Sequence, residues 1–240
     1  MVPTLLSERK VNTTFAILAV VFSIISGVIA AVGVGSFFRG AFEGFFGYGH
    51  PYGRMVGGMV IVVFSGLLGI LSAIFTLIVL NEWSSSLNEN IQNSRILLDY
   101  AKQKVEGEKQ MNLVALQSHL SVLSLNVWAY WAYLVVYVIS FFIPMLSFVL
   151  WILAVIFLSI YLQSVFTVAK KLEEIKNIMY PVFGISSPMM SYIKQRSIGV
   201  FILLVIVTFG IYWWYLLIKL SDEINQYIDA DQKLRQVINL

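Results

Sequence analysis

Long apolar segments alternate with polar segments along the whole chain. The strongest apolar segments cover residues 13–35, 56–80 and 197–220, and residues 127–168 carry no charged side chain. That charge-free run is about twice the length that one helix needs to cross a bilayer, so we divide it at Pro144. Because the runs are continuously apolar and do not alternate, they indicate helices and not barrel strands.

This pattern predicts an all-α polytopic membrane protein with five transmembrane helices, a cytoplasmic helical hairpin and a C-terminal amphipathic helix. The predicted units follow the polar boundaries. They are an N-terminal two-span unit over 1–80 with a Gly- and aromatic-rich external loop over 38–55, a cytoplasmic helical hairpin over 81–125, a tight transmembrane hairpin over 126–168, a basic cytoplasmic connector over 169–196, and a fifth span with an amphipathic tail over 197–240.

The polar segment 81–125 contains a heptad seam. Its apolar and small residues recur at alternating gaps of four and three, at Leu87, Ile91, Ser94, Leu98, Ala101 and Val105. After Gly107 a second apolar-rich helix leads into the third span, so the segment is predicted to fold back on itself. The seam packs either on that returning arm or on a second copy or partner.

The last unit is predicted to be a kinked span followed by a surface helix. Thr208 bonds back to a carbonyl one turn earlier, and Gly210 weakens the helix there. Ser221 would cap the surface helix, with acidic and basic residues on one face. The opposite, apolar face would hold Ile224, Tyr227, Ile228, Leu234, Val237 and Ile238.

Composition agrees with a membrane protein. The chain is 59% hydrophobic and 12% charged, whereas soluble domains carry about 25% charged residues. The absence of cysteine excludes disulfides, thiolate metal sites and cysteine nucleophiles. The net charge of +3 is modest and does not indicate nucleic-acid binding.

Lysine and arginine placement predicts a multi-pass plasma-membrane protein with a cytoplasmic N-terminus. With five spans, eleven basic residues lie on the cytoplasmic side and five lie outside, three of them in the C-terminal tail. The side with more basic residues in short loops is the cytoplasmic one. If the fifth segment were re-entrant, the tail would lie inside and the division would be fourteen to two.

Small residues form a predicted packing face on each of the first two spans. They recur every four residues, so that helix backbones approach closely where lipid supplies no hydrophobic drive. The faces are Ser23, Gly27, Ala31 and Gly35 on the first span and Ser65, Gly69 and Ala73 on the second. They pack against each other or against another subunit.

Polar side chains also share faces on the later spans. One interpretation is a polar pathway between helices, and the other is interhelical hydrogen bonding with an interfacial aromatic belt. The residues are Tyr130, Tyr133 and Tyr137 on the third span, Ser159 and Gln163 on the fourth, and Thr208 and Tyr212 on the fifth.

Groups for catalysis are missing from this pattern. No predicted span has Asp, Glu, Arg or His in its interior, and Glu43 with His50 supplies too few ligands for a metal centre. We therefore predict no catalytic, cofactor-binding or metal-binding residues, and a protein that is not an enzyme.

One stretch has a recognisable pattern. A basic residue and Arg-Ser precede an apolar run, Thr-x-Gly-Ile-Tyr, a Trp-Tyr pair, and an Asp followed closely by Asn. The positions are Lys194, Arg196, Ser197, Thr208, Gly210, Ile211, Tyr212, Trp214, Tyr215, Asp222 and Asn225. This stretch resembles an uncharacterised prokaryotic membrane family, the domain of unknown function numbered 4234. The resemblance implies a membrane protein and no catalytic residue.

These features predict a non-enzymatic integral membrane protein. It would act as an oligomeric scaffold or as a subunit of a transport or secretion channel, with the lipid bilayer and further copies or subunits as partners. An insertase-like membrane chaperone with a cytoplasmic helical hairpin is the alternative. A lipid-modifying enzyme has less support.

Overall fold

The computed structural model describes residues 3–47, 51–143, 146–185 and 191–237. These residues form helices and connections. The helices are α1 (Thr13–Phe45), α2 (Pro51–Lys104), α3 (Glu108–Val122), α4 (Val127–Phe142), α5 (Ser147–Met179), a 3-10 helix (Tyr180–Phe183), α6 (Ile198–Val207) and α7 (Ile211–Val237). The all-helical fold and its long apolar helices are those of a membrane-embedded protein.

Helices α1 and α2 pack antiparallel through small residues. Ser72 Oγ donates to the carbonyl of Ala19, and Ser26 Oγ donates to the carbonyl of Ser65, both at 2.7 Å. The two backbones also approach each other closely at Gly33 and Gly58. A Cβ placed on Gly58 would meet the carbonyl oxygen of Gly33 at 2.7 Å, so only glycine fits there.

Three residues of the packing face predicted on the first span do not pack on α2, and their packing on another subunit stays a prediction. Gly27 and Gly35 are exposed, and a Cβ on either meets nothing within 4 Å; Ala31 is exposed as well. A four-residue repeat advances about 40° beyond one full turn at every step, so it leaves the interface. The buried residues of α1 instead follow a nearly seven-residue repeat, at Ala16, Ala19, Ser26, Gly33 and Gly40. On α2, Ser65, Gly69 and Ala73 are buried.

Helix α2 continues from the apolar segment into the polar one without a break. Helix α3 then returns beside its last turns. Arg95 donates to the carbonyl of Leu120 at 3.2 Å, and Lys102 Nζ donates to Gln117 Oε1 at 2.7 Å. The heptad seam from Leu87 to Ala101 is buried within the chain, which favours internal packing.

Helices α4 and α5 form a second antiparallel pair. The backbone N–H of Asn126 donates to Ser164 Oγ at 3.1 Å, and the rings of Tyr130 and Tyr161 lie 5.2 Å apart. The predicted division point, Pro144, lies outside the described residues. Helix α5 extends past its apolar half to Met179.

Helices α6 and α7 form a hairpin where a single fifth span was predicted. Arg196, just before α6, donates to both carboxylate oxygens of Glu223 on α7, at 2.7 and 2.8 Å. A straight span over 197–220 would separate these two residues by about 40 Å. The chain therefore reverses direction between Val207 and Ile211, and α6 itself is only about 15 Å long.

Four helical stretches, not five, are long and apolar enough to cross a membrane within the described residues. They are Thr13–Phe45, Tyr52–Lys104, Gln110–Ser140 and Ser147–Phe183, and Ile198–Val207 is a shorter apolar helix. The predicted fifth span is not one continuous helix, because the break at residues 208–210 is a complete reversal and not a kink.

The reversal satisfies its own backbone groups, as apolar surroundings require. Thr208 Oγ1 donates to the carbonyl of Leu204 at 2.6 Å and accepts from the N–H of Tyr212 at 3.0 Å. Gly210, whose φ is +92°, donates its N–H to the carbonyl of Val205 at 2.8 Å. The N–H of Phe209, whose φ is +50°, donates to the carbonyl of Ile206 at 3.2 Å. These 6→1 and 5→2 hydrogen bonds form the pattern of a helix end with a left-handed residue, here Phe209, just past the last turn.

Helix α7 runs through Ser221 without a new start. Ser221 is buried, donates to the carbonyl of Leu217 at 2.7 Å and accepts from Trp83 Nε1 at 2.9 Å. The prediction that Ser221 caps a separate surface helix is therefore wrong. Its hydroxyl forms an interhelical contact within a helix that begins at Ile211.

The N-terminal segment lies at the same end of the molecule as the last turns of α7. Asn225 hydrogen-bonds both backbone groups of Val11, at 2.7 and 2.8 Å. Lys10 pairs with Asp229 at 2.6 Å.

Two glycine substitutions with opposite expected effects on stability test the helix reversal at residues 208–210. Gly210→Ala should destabilise the protein by about 1–2 kcal/mol, because an L-residue is strained in the left-handed region. Gly199→Ala is the matched control in helix α6, where the new Cβ approaches only Ser197 Oγ, at 3.8 Å. That change should stabilise by about 0.5–1 kcal/mol. Thermal unfolding in detergent measures both, and equal effects would contradict the described turn.

Candidate functional site

A cavity of about 210 Å³ lies among α1, α2, α4, α5 and the α6–α7 hairpin. This volume has room for several water molecules. Six helices contribute residues to its wall. The lining residues are Ala19, Ser23, Ser72, Thr76, Tyr133, Tyr137, Trp151, Ala154, Val155, Leu158, Val205, Phe209, Gly210, Trp213, Trp214 and Leu217.

Hydroxyl groups form the polar part of this wall. Ser72 and Thr76 lie one turn apart on α2, and Thr76 Oγ1 donates to the carbonyl of Ser72 at 2.9 Å. Tyr137 of α4 and Ser23 of α1 both line the cavity. Each hydroxyl that donates to the protein keeps acceptor capacity, so the cavity offers several weakly polar partners to a solute.

The helix reversal forms the remaining part of the wall. Phe209 and Gly210 line the cavity from the turn, and Trp213 lines it from the first turn of α7. The indole of Trp213 packs edge-on against Tyr133, Trp83 and Phe201 at 6.2–6.4 Å. A movement of the hairpin would therefore change the shape of the cavity directly.

No charged side chain of the described residues lines the cavity. A charge at this depth needs a paired partner or water. The wall is therefore suited to an uncharged polar molecule.

The residues of the predicted pathway do not share one site. Tyr133 and Tyr137 line the cavity, whereas Tyr130 contacts Asn81 Oδ1 at 3.4 Å and Ser159 donates to the carbonyl of Val155 at 2.7 Å. The others lie elsewhere: Gln163 is exposed beside Thr167, Thr208 stabilises the helix reversal, and the ring of Tyr212 packs against Phe201 and Tyr215.

Sequence reasoning missed Ser72, Thr76 and Trp213. The signal for the first two was present, because they lie seven residues after Ser65 and Gly69 and therefore on the same face of the second span. Trp213 had no such signal, since its position depends on the reversal of the chain.

A second buried polar site, which we call the ionic cluster, consists of Glu8, Asn90, Lys176, Tyr180, Tyr227, Asp231 and Arg235. Lys176 Nζ lies 2.7 Å from Asp231, and it donates to Asn90 Oδ1 at 2.6 Å. Arg235 pairs with Glu8 at 2.6 Å and with Asp231. Both lysine and aspartate are completely buried.

The ionic cluster is electrically balanced. Two cations face two carboxylates, which is the condition under which buried charges persist. Burial alone would raise the pKa of Asp231, but the adjacent Lys176 and Arg235 lower it to about 2. Burial opposes the charge of Arg235 too, yet Asp231 and Glu8 raise its pKa. Because its residues come from the N-terminal segment, α2, α5 and α7, the cluster also joins these four parts of the chain.

The ionic cluster shows that the predicted separation of charged and apolar faces in the amphipathic tail is wrong. Glu223, Asp231 and Arg235 are buried on the same side of α7 as Ile224, Tyr227 and Ile228, whereas Val237 is exposed. Ile238 lies outside the described residues. Acids and bases were assigned to the outer face because a single helix does not reveal partners from three other segments.

A third feature is an open groove of about 610 Å³ between the α3–α4 connection and α5. Its polar lining includes His119, Asn126, Gln163, Thr167 and Lys171. Among the described residues, no three His, Cys, Asp or Glu side chains come together as metal ligands. His50 lies outside those residues.

Comparison with known proteins gives one relationship. No curated protein and no solved structure matches the chain. A family model matches the C-terminal region and confirms the resemblance inferred from the Thr-x-Gly-Ile-Tyr pattern. Residues 196–239, which include Arg196, the α6–α7 hairpin and part of the ionic cluster, match the family described as domain of unknown function (DUF4234).

Proposed function

We propose that four helical stretches cross the plasma membrane and that α6–α7 is a re-entrant hairpin. Both termini then lie on the cytoplasmic side, together with the α2–α3 hairpin. Fourteen of the sixteen basic residues fall on that side, and Arg39 and Arg54 lie outside. This distribution supports a cytoplasmic location of both termini, because cytoplasmic segments of membrane proteins carry an excess of Lys and Arg.

We propose further that the protein is a non-enzymatic transport protein or channel subunit for a small, uncharged polar solute. The cavity carries this proposal, because hydroxyl groups from α1, α2 and α4 line it and a helix reversal closes it. Irregular backbone at membrane depth is tolerated where it is buried in protein or lines a polar cavity. Broken helices of this kind form the binding sites of many transporters.

Flux through reconstituted protein tests the proposal. Proteoliposomes should take up a urea- or glycerol-sized solute faster than empty liposomes in stopped-flow light scattering. Thr76→Val removes a cavity hydroxyl with little change of volume and should lower that flux several-fold. The loss of one hydrogen-bonding group is worth about 1 kcal/mol.

Thr167→Val is the matched control. Thr167 lies in the open groove and not in the cavity, so its replacement should leave solute flux unchanged. Wild-type flux equal to that of empty liposomes, or equal loss in the two variants, would contradict transport through this cavity.

An insertase-like membrane chaperone is the second candidate. The α2–α3 hairpin and the adjacent polar groove favour it, since a laterally open groove offers hydroxyl and amide groups to a nascent segment. Under this proposal, Thr167→Val together with Gln163→Leu should reduce insertion of a short hydrophobic test protein into proteoliposomes, and Thr76→Val should not.

Assembly with further copies or subunits remains part of the proposal. The exposed residues Gly27, Ala31 and Gly35 of α1 form a surface of small side chains on which another helix could pack closely. The mass of the native complex after gentle detergent extraction measures the number of subunits.

A further inference from the structure

The N-terminal segment, residues 3–12, lies between α2 and α7 without forming a helix. Its backbone is held by side chains. Asn93 of α2 accepts from the N–H of Leu6 at 2.7 Å and donates to its carbonyl at 2.9 Å. Asn225 of α7 does the same for Val11, at 2.7 and 2.8 Å.

Each asparagine side chain therefore makes, with one residue, the pair of N–H and C=O hydrogen bonds that a neighbouring β-strand would make. An amide side chain has one acceptor and one donor group, which match the N–H and C=O of an extended backbone. Recognition of a peptide as an added strand uses the same backbone groups. The two asparagines lie on different helices and hold residues five positions apart.

Further side chains hold the backbone between these points. The N–H of Arg9 donates to Glu89 at 2.7 Å, the carbonyl of Arg9 accepts from Ser86, and the N–H of Asn12 donates to Glu82 at 2.8 Å. The side chains of Arg9 and Lys10 are exposed. Each still forms an ion pair with a flanking helix, Arg9 with Glu89 of α2 at 3.5 Å and Lys10 with Asp229 of α7 at 2.6 Å. These contacts of α2 and α7 form the groove that holds the segment.

Two side chains of the segment are buried in the groove, and the half-buried Leu5 packs against the core as well. Glu8 is 7% exposed and accepts from Arg235 at 2.6 Å, from Asn90 at 2.9 Å and from Asn93 at 2.8 Å. Val11 is 3% exposed. Apart from the ion pairs of Arg9 and Lys10, every other polar contact described above is made to the backbone, so the buried contacts recognise an extended chain with glutamate three residues before a small apolar residue.

We propose that the groove between α2 and α7 is a peptide-binding site for an extended segment of the pattern Glu-x-x-Val. The N-terminal segment of the chain is its resident ligand. A peptide of this pattern from another molecule competes with the resident segment for the same groove, and it binds most tightly when the resident glutamate is removed. The proposal does not depend on solute transport.

Fluorescence polarisation with a labelled peptide of residues 3–12 (PTLLSERKVN) tests this site. The receptor is the full-length protein carrying Glu8→Gln, which keeps the shape of the side chain and removes its charge. The peptide should bind at least tenfold more tightly than the same peptide with Gln at the Glu8 position. Adding Asn225→Ala to the receptor should weaken binding at least tenfold.

Several results would overturn the proposal. They are equal binding of the two peptides, no effect of Asn225→Ala, or no binding to the folded receptor. If the Glu8→Gln protein does not fold, a spin label on the single cysteine of Ser7→Cys replaces it. Excess peptide should then mobilise the label in an otherwise wild-type chain, and the Gln peptide should not. An unchanged spectrum with both peptides would also overturn the proposal.

Discussion

Replacing Lys176 by methionine should lower the free energy of unfolding by about 3–5 kcal/mol, the cost of breaking a buried ion pair from one side. Methionine fills a similar volume but leaves two carboxylates opposite one guanidinium. Lys171→Met is the matched control on the same helix, because its ammonium is half exposed and pairs with Glu174 at 2.9 Å. A surface pair contributes about 0–1 kcal/mol. Chemical or thermal unfolding in detergent measures both changes.

The pH dependence of the difference in unfolding free energy between the wild type and Lys176→Met tests whether loss of the ion pair with Asp231 causes it. The pKa of Asp231 is about 2 in the folded protein, below its ordinary value of 3.8. Its stabilising contribution is therefore complete above about pH 4 and is lost as the pH falls towards 2. Because protonated Asp231 no longer requires Lys176, the wild type and Lys176→Met should converge over that range. A constant difference from pH 6 to pH 2 would contradict the assigned ion pair.

Gly58→Leu should prevent close packing of α1 and α2 and destabilise the protein by on the order of 3 kcal/mol. Its Cβ alone would lie 2.7 Å from the backbone N of Phe37 and from the carbonyl oxygen of Gly33. Backbone atoms cannot rotate away as a side chain can, so the two helices must separate. Loss of monodisperse protein in gel filtration, or a lower unfolding temperature, measures the effect.

Gly27→Leu is the control for this substitution. Gly27 lies on the same pair of helices, but a Cβ there meets nothing within 4 Å. Its replacement should leave the stability of the monomer unchanged. If Gly27→Leu were the more damaging of the two, the described register of α1 on α2 would be wrong.

Apolar segment length predicted the helical membrane architecture, because a segment of about 20 apolar residues suits little else. The register of α1 could not be obtained in this way. Small residues at four-residue spacing and at seven-residue spacing coexist in α1, and only the position of Gly58 on the other helix distinguishes them. Contacts between distant segments decide such cases.

The predicted fifth span shows a related limit. Thr208 and Gly210 indicated a weakened helix, but a kink and a reversal have the same local signal. The ion pair of Arg196 with Glu223 distinguishes the two possibilities, and it joins residues on opposite sides of the turn. Tyr133 and Tyr137 were identified as candidate site residues, whereas Trp213 depended on this reversal.

The ionic cluster was the largest feature absent from the predictions. Lys176 lies in a polar connector, and Asp231 and Arg235 lie in a charged tail, where side chains are normally solvated. Their burial requires Glu8 from the other end of the chain. No local pattern in any one of these segments carries that information.

The side on which residue 233 lies tests the central claim most directly. The chain has no cysteine, so single cysteines at Arg39, Lys104 and Lys233 can each be labelled with a membrane-impermeant maleimide in sealed vesicles. A re-entrant α6–α7 hairpin predicts that the cysteines at 104 and 233 react from the same side and the cysteine at 39 from the opposite side. Reaction of the cysteine at 233 from the same side as the one at 39 would show a fifth crossing and contradict the account.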